Sequence, residues 1–237
     1  SEILVVDGRT SNVGIGTTEP AYKLDVNSSD YVAARIESTS NGFAPASILL
    51  ESGNSNSRGQ GIYQYNSVSK NSWFSGVPYS TTSDDWIIAH KLETTSFNAD
   101  VAQMSNALFC VNDNGNVGIG TTSPLTKLHI AGTTDDNIIR IENTSTALSA
   151  GDTIGAIQFF NNDPTDDSPN VAASIYATAG ASGGSGSLRF KTIEPGVEGD
   201  PATDAMIITN GGNVGIGTIS PADRLDLYDA DDNVGIY

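Results

Sequence analysis

The residues able to do chemistry in this chain are few, and their spacing argues against most of the chemistry open to them. Adjacent carboxylates stand at Asp84-Asp85, Asp135-Asp136, Asp166-Asp167 and Asp231-Asp232. Glycoside hydrolysis needs two carboxyls facing each other across a sugar, about 5–10 Å apart. Neighbours along a strand point to opposite faces, so no such pair is a dyad by itself, and these read as solvated turn residues. Asn112-Asp113-Asn114-Gly115-Asn116 sets oxygens at close spacing, as a calcium loop does, but lacks the twelve-residue pattern with its closing Glu. It reads as a turn. His90 and His129 have no cysteine or second histidine at ligand spacing. Cys110, the single cysteine, lies in an apolar run, where a buried inert thiol is expected rather than a nucleophile. Val-Gly-Ile-Gly-Thr lacks the third glycine, the lysine and the helix of a phosphate loop. No catalytic residue, metal site or cofactor is expected, and the chain reads as a non-enzyme.

Trp73, Phe74, Tyr79 and Trp86 gather both tryptophans within a short stretch. Exposed aromatic faces stack on sugar rings, so this cluster is the candidate receptor or glycan contact. Its other reading is packing, with the aromatics filling a core helped by the alternation in Trp86-Ile87-Ile88.

In composition, 25 glycines, scarce charge (16%) and abundant Ser, Thr and Asn favour turns and short strands over helices. With 11 Lys plus Arg against 28 Asp plus Glu, the net charge of −17 repels phosphate backbones and anionic lipid, so no nucleic-acid partner is expected. No apolar run reaches the roughly 20 residues that span a bilayer, and no membrane insertion is expected. The chain starts at Ser1 and stops in Asn233-Val234-Gly235-Ile236-Tyr237, which reads like the opening of another repeat and suggests a piece of something longer.

The elements that must position these residues are announced by a repeat. NVGIGTTEPAYKLDV (Asn12 to Val26), NVGIGTTSPLTKLHI (Asn116 to Ile130) and NVGIGTISPADRLDL (Asn213 to Leu227) follow one another roughly a hundred residues apart. Each follows an apolar run and a polar turn, which predicts strand, tight turn, strand. Period two puts Val13 and Ile15, Val117 and Ile119, and Val214 and Ile216 on one face. Gly14 and Gly16, Gly118 and Gly120, and Gly215 and Gly217 fall on the other, where another backbone can approach closely. Pro20, Pro124 and Pro221 then break the ladder, and a short Lys-Leu-x-Val type strand follows. Arg35-Ile36-Glu37-Ser38-Thr39-Ser40 and Arg140-Ile141-Glu142-Asn143-Thr144-Ser145 extend the similarity. Further strands are predicted at Ser47 to Leu50, Gly61 to Tyr65, Trp86 to Leu92, Thr153 to Phe160, Ala172 to Ala177 and Ser187 to Thr192. The glycine-rich Gly180 to Gly186 reads as a hairpin loop. The organisation expected is 1–26, the end of a module with the first repeat; 27–130 and 131–227, β modules each closing in a repeat; and 228–237, the start of another.

A strand-turn-strand unit this small cannot bury a hydrophobic face alone. Solenoid stacking would repeat every 20 to 45 residues or so. The wider spacing favours lateral association of identical chains, with the valines, isoleucines and glycines of the repeat as inter-chain packing residues.

The string NVGIGTTSPLTKLHI, after an apolar strand and a Gly turn, resembles the signature repeated in many bacteriophage tail fibre and tailspike-associated proteins. GDTIGAIQFF, AASIYATAG, GSLRFKT and AMIITNGGNVGIGT (Gly151 to Thr218) are similar to the full module of such fibres. Ser72 to Val77 with Asp84 to Ile88 resembles an aromatic variant of it. The resemblance implies an all-β, elongated homotrimeric fibre of repeated β modules, built as a β-prism or as intertwined segments linking small β-sheet domains. It further implies a virion location, tail or baseplate proteins as partners beside the chain itself, and a host-surface glycan as a candidate ligand. The function expected is a trimeric tail-fibre spacer that takes part in host attachment. The alternatives are a tailspike segment cleaving surface polysaccharide and a glycan-binding module without chemistry.

Overall fold

Strands joined in sequence order make up the chain, because period-two apolar alternation recurs between glycine- and asparagine-rich turns. The computed structural model describes residues 4–28, 48–51, 59–79, 84–92, 99–135, 137–162, 170–181, 184–192 and 203–228. By internal contacts the chain divides into Ser1–Asn137 and Ile138–Tyr237. The motif at Arg35 to Ser40, Asp136, Asp166-Asp167, Asp231-Asp232 and the last nine residues lie outside the described residues.

In the first unit, β1 (Leu4–Asp7), β2 (Asn12–Ile15) and β3 (Leu24–Val26) form a three-stranded sheet. A second sheet runs in order through β4 (Gln60–Asn66), β5 (Asn71–Val77), β6 (Trp86–Leu92), β7 (Ala107–Val111), β8 (Val117–Ile119) and β9 (Leu128–Ile130). The second unit holds a third sheet, again in order: β10 (Thr153–Asn161), β11 (Asn170–Ala179), β12 (Gly186–Thr192), β13 (Thr203–Ile208), β14 (Val214–Ile216) and β15 (Leu225–Leu227). Neighbours pair antiparallel except the last pair of each sheet, β2–β3, β8–β9 and β14–β15, which is parallel. The all-β class is therefore observed, in three mixed sheets.

Among the described residues, a filled apolar core lies against the second sheet. Phe74, Ile87, Ala89 and Cys110 project from one of its faces and are sealed by Val101 and Ala102 of the short 3-10 turn Ala99–Ala102, with Met104 of the next turn, Met104–Asn106, packed against them. The Tyr79 N–H donates to the Ala102 carbonyl (2.7 Å), tying the strand end to this cover.

The predicted strands at Trp86 to Leu92, Gly61 to Tyr65 and Ser187 to Thr192 lie within observed ones. Gly180 to Gly186 joins antiparallel β11 and β12, a hairpin as expected. Ile48, Leu49 and Leu50 form no strand; the three are exposed and no described segment pairs with them, so alternation alone does not hold them extended.

Candidate functional site

The repeat is one local structure built three times. β2 ends at Ile15 and β3 starts at Leu24 beside it, pairing Val13 with Leu24 and Ile15 with Val26 in parallel. Parallel neighbours ordinarily need a crossover of about a dozen residues or more, often a helix. Three-residue strands need a return of only about 10 Å, and the segment 16–23 spans that without helix. Each residue type of the signature meets a demand of this crossover.

Asn12 Nδ2 donates to the Pro20 carbonyl (2.9 Å), and Asn116 and Asn213 do the same to Pro124 (3.3 Å) and Pro221 (3.4 Å). The amide thereby fixes the crossover onto the strand it left. Lys23 Nζ donates to the Thr10 carbonyl, Lys127 Nζ to that of Asn114, and Arg224 Nη1 to that of Gly211, capping the preceding turn with a cation. Asp25 accepts from the Ala21 N–H and Asp226 from the Ala222 N–H, both at 2.9 Å. In the second repeat His129 takes this place, its Nδ1 accepting from the Leu125 N–H at 3.4 Å.

The glycines correct the sequence reading in one respect. A Cβ at Gly14 would lie 2.6 Å from the Thr17 carbonyl oxygen, and Gly118 and Gly215 would collide likewise with Thr121 and Thr218. Within one chain, the backbone that comes close to these three is the chain's own crossover. Gly16, Gly120 and Gly217 lie beyond the strands at φ of +74°, +71° and +75°, a left-handed conformation that turns the chain into the crossover. They do not share a strand face with Gly14, Gly118 and Gly215.

Because each crossover covers the glycine side, the valine and isoleucine side stays open. Ile15, Ile119 and Ile216 are 40%, 43% and 42% exposed, equal at equivalent positions. In the first sheet, Leu4 and Val6 of β1 and Leu24 of β3 join Val13 and Ile15 on this face, all linked by register. In the third sheet, register extends the same face through Met206, Ile208, Leu188, Phe190, Ile175, Ile157 and Phe159. Val13, Val117 and Val214 are half-buried on it.

In the second sheet the aromatic cluster divides between the two faces. Phe74 is 1% exposed in the core, its ring 4.9 Å from that of Tyr63. Trp73 and Trp86 project from the open face at 41% and 40% exposure. Trp73 lies against His90 (4.5 Å between centroids), and Trp86 meets Phe109 edge-on (6.2 Å). Tyr79 is exposed at the strand end. Within one chain Phe74 is a core residue, while Trp73 and Trp86 each make a ring contact and stay partly exposed.

The chemistry-bearing residues are placed as follows. Asp85 is buried and its neighbour Asp84 exposed. Asn112 Oδ1 accepts from the Asn114 and Asn116 N–H groups, a side-chain turn of the kind expected. His90 Nε2 bonds the Asn71 amide oxygen (3.1 Å), and His129 serves the crossover. Cys110 is buried, and burial pushes its thiol up, away from the reactive thiolate. Among the described residues no group of His, Cys, Asp and Glu could hold a metal, and no helix is long and apolar enough to cross a membrane.

Sequence reasoning missed a polar network on the covered side of the third sheet. The Tyr176 hydroxyl donates to Asp204, and Arg189 Nη1 donates to the same carboxylate at 2.5 Å. Burial, and next the bond to Asp204, push Tyr176 up to about 12. Its signal was present: period two aligns Ser174, Tyr176 and Thr178 on one side of β11, and Arg189 and Lys191 of β12 share that side.

The sequence matches no protein-family model and no curated protein.

Proposed function

We propose that this chain is a structural segment of a bacteriophage tail fibre, a homotrimeric spacer in the virion that takes part in host-surface attachment. The observation that carries the reading is the open apolar face left at equivalent positions in each sheet, with Ile15, Ile119 and Ile216 equally exposed. Single exposed apolar residues are ordinary, but contiguous apolar faces of this kind mark association surfaces. Copies of the same chain supply the same face, so self-association about an axis can cover it. The resemblance of the signature to phage fibres selects three copies. The polar opposite side of the third sheet and the net charge of −17 favour solubility of the assembly.

Sedimentation equilibrium of the chain at micromolar concentration tests this. Three times the chain mass is expected, and a stable monomer would sink the proposal.

The exposure of Trp73 and Trp86 supports a second reading, a glycan contact on the second sheet. Trp73→Ala and Trp86→Ala separate the two. Loss of adsorption to host cells by an intact trimer favours the glycan contact, whereas loss of the trimer assigns both rings to packing between chains.

A further inference from the structure

We propose that the polar side of the third sheet carries a binding site for a carboxylate-bearing sugar, centred on Lys191, Tyr176, Gln158 and Ser174. A recess of about 120 Å³ opens there, lined by these four with Thr153 and Ala156 among others. Its shape follows from register. Gln158 pairs with Ser174 and Ser174 with Lys191 in one cross-strand row; Ala156 pairs with Tyr176 and Tyr176 with Arg189 in the next. Small side chains at Ala156 and Ser174 leave room between the long ones at Gln158, Tyr176 and Lys191.

The recess is rigid on one side. With its hydroxyl committed to Asp204, which Arg189 also holds, the Tyr176 ring has a fixed orientation. Lys191 Nζ stands 4.9 Å from the centre of that ring. Arg189 is ion-paired with Asp204, and Lys191 is the cross-strand neighbour of Asp204, so among the described residues two cations lie close to this carboxylate. An ammonium has three donors, so Lys191 can hold a ligand carboxylate beside its existing contacts, in a charge-assisted bond.

The remaining lining groups select what surrounds that carboxylate. Ala156, Val171 and Ala173 are apolar, while the Gln158 amide and the Ser174 and Thr153 hydroxyls both donate and accept; this mixed lining suits a sugar ring, which carries C–H faces as well as hydroxyls. The recess is well below the 300–1,000 Å³ or so of a drug-sized pocket, so it takes one sugar unit, and millimolar affinity is expected. Several copies on one particle would raise this through avidity. The site lies within a single chain and stands whether or not three chains assemble.

Titration of the chain with sodium glucuronate, sodium galacturonate and N-acetylneuraminate, followed by NMR shifts of the Tyr176 ring and by calorimetry, tests the site. At least one acidic sugar is expected to saturate it, with glucose at least tenfold weaker. Lys191→Ala and Gln158→Ala should each weaken binding about tenfold with unchanged circular dichroism. Failure of all three acidic sugars overturns the proposal, as does equal binding of glucose. Inorganic phosphate binding as tightly as the sugars would show a bare anion site and also overturn it. Binding that survives both variants but is lost in Trp73→Ala would move the ligand to the second sheet. None of these outcomes depends on the sedimentation result, so the two proposals fail separately.

Discussion

Asn12, Asn116 and Asn213 each reach across the crossover to a proline carbonyl, and Asn12 is buried where it does so. Asn12→Ala leaves that carbonyl without its donor, at a cost of about 1–2 kcal/mol, read as a lower urea midpoint. Asn116→Ala, with the longer bond, should cost less. Gly120→Ala should be more damaging than either, since it forces a side chain into a left-handed conformation and into the Ala131 carbonyl. The second repeat also contains its own control. Asp25 and Asp226 accept their crossover N–H at 2.9 Å as carboxylates, whereas His129 does so at 3.4 Å through a ring nitrogen. His129→Asp should therefore stabilise the chain by about 0.5–1 kcal/mol, visible as a raised thermal midpoint. An unchanged or lowered midpoint would show that the bond at Leu125 contributes nothing.

Among the elements, strands such as Trp86 to Leu92 were legible from alternation, because burial of one face imposes that period, although Asn71–Val77, which alternates as well, was not singled out as one. Two features were not legible. The short strands such as Leu24–Val26 were announced by the repeat, but their parallel pairing was not, because it depends on the Asn, Gly and Lys contacts of the crossover. The 3-10 turns over the second sheet owe their place to Val101 and Ala102 sealing Phe74, a tertiary effect with no local signature. The division between Phe74 inside and Trp73 outside was likewise hidden, since alternation separates neighbours without saying which face is covered. In the third sheet, the Tyr176–Asp204–Arg189 network ties β11 to β12 and β13, and its pH dependence follows from the raised Tyr176. A phenol raised from 10.0 to about 12 in the folded chain favours folding while it remains protonated. That contribution is complete below pH 10 and fades as pH rises toward about 12. Urea midpoints measured across this window should fall, and Tyr176→Phe should remove this part of the decline while lowering stability at neutral pH. A parallel decline in the variant would assign the loss to other groups.

For the molecule as a whole, the exposed faces make opposite predictions for one chain and for three. Ile216 is 42% exposed in a single chain, and Leu188 lies on the same face at 39%. If the chain is complete alone, Ile216→Ser is a surface change, expected to alter stability by no more than about 0.5 kcal/mol. If three copies bury this face, each loses roughly 1.5–3 kcal/mol of apolar burial, and symmetry imposes the loss three times. The oligomer should then dissociate at concentrations where the parent remains trimeric. Gln64→Ala is the matched control, from the open face of the second sheet but polar, and it should leave the mass unchanged. Light scattering of Ile216→Ser, Leu188→Ser and Gln64→Ala at several concentrations reads the difference. Dissociation of the first two alone supports association through the apolar face. Retention of the trimer by both would place the contacts elsewhere and leave the open faces unexplained by self-association.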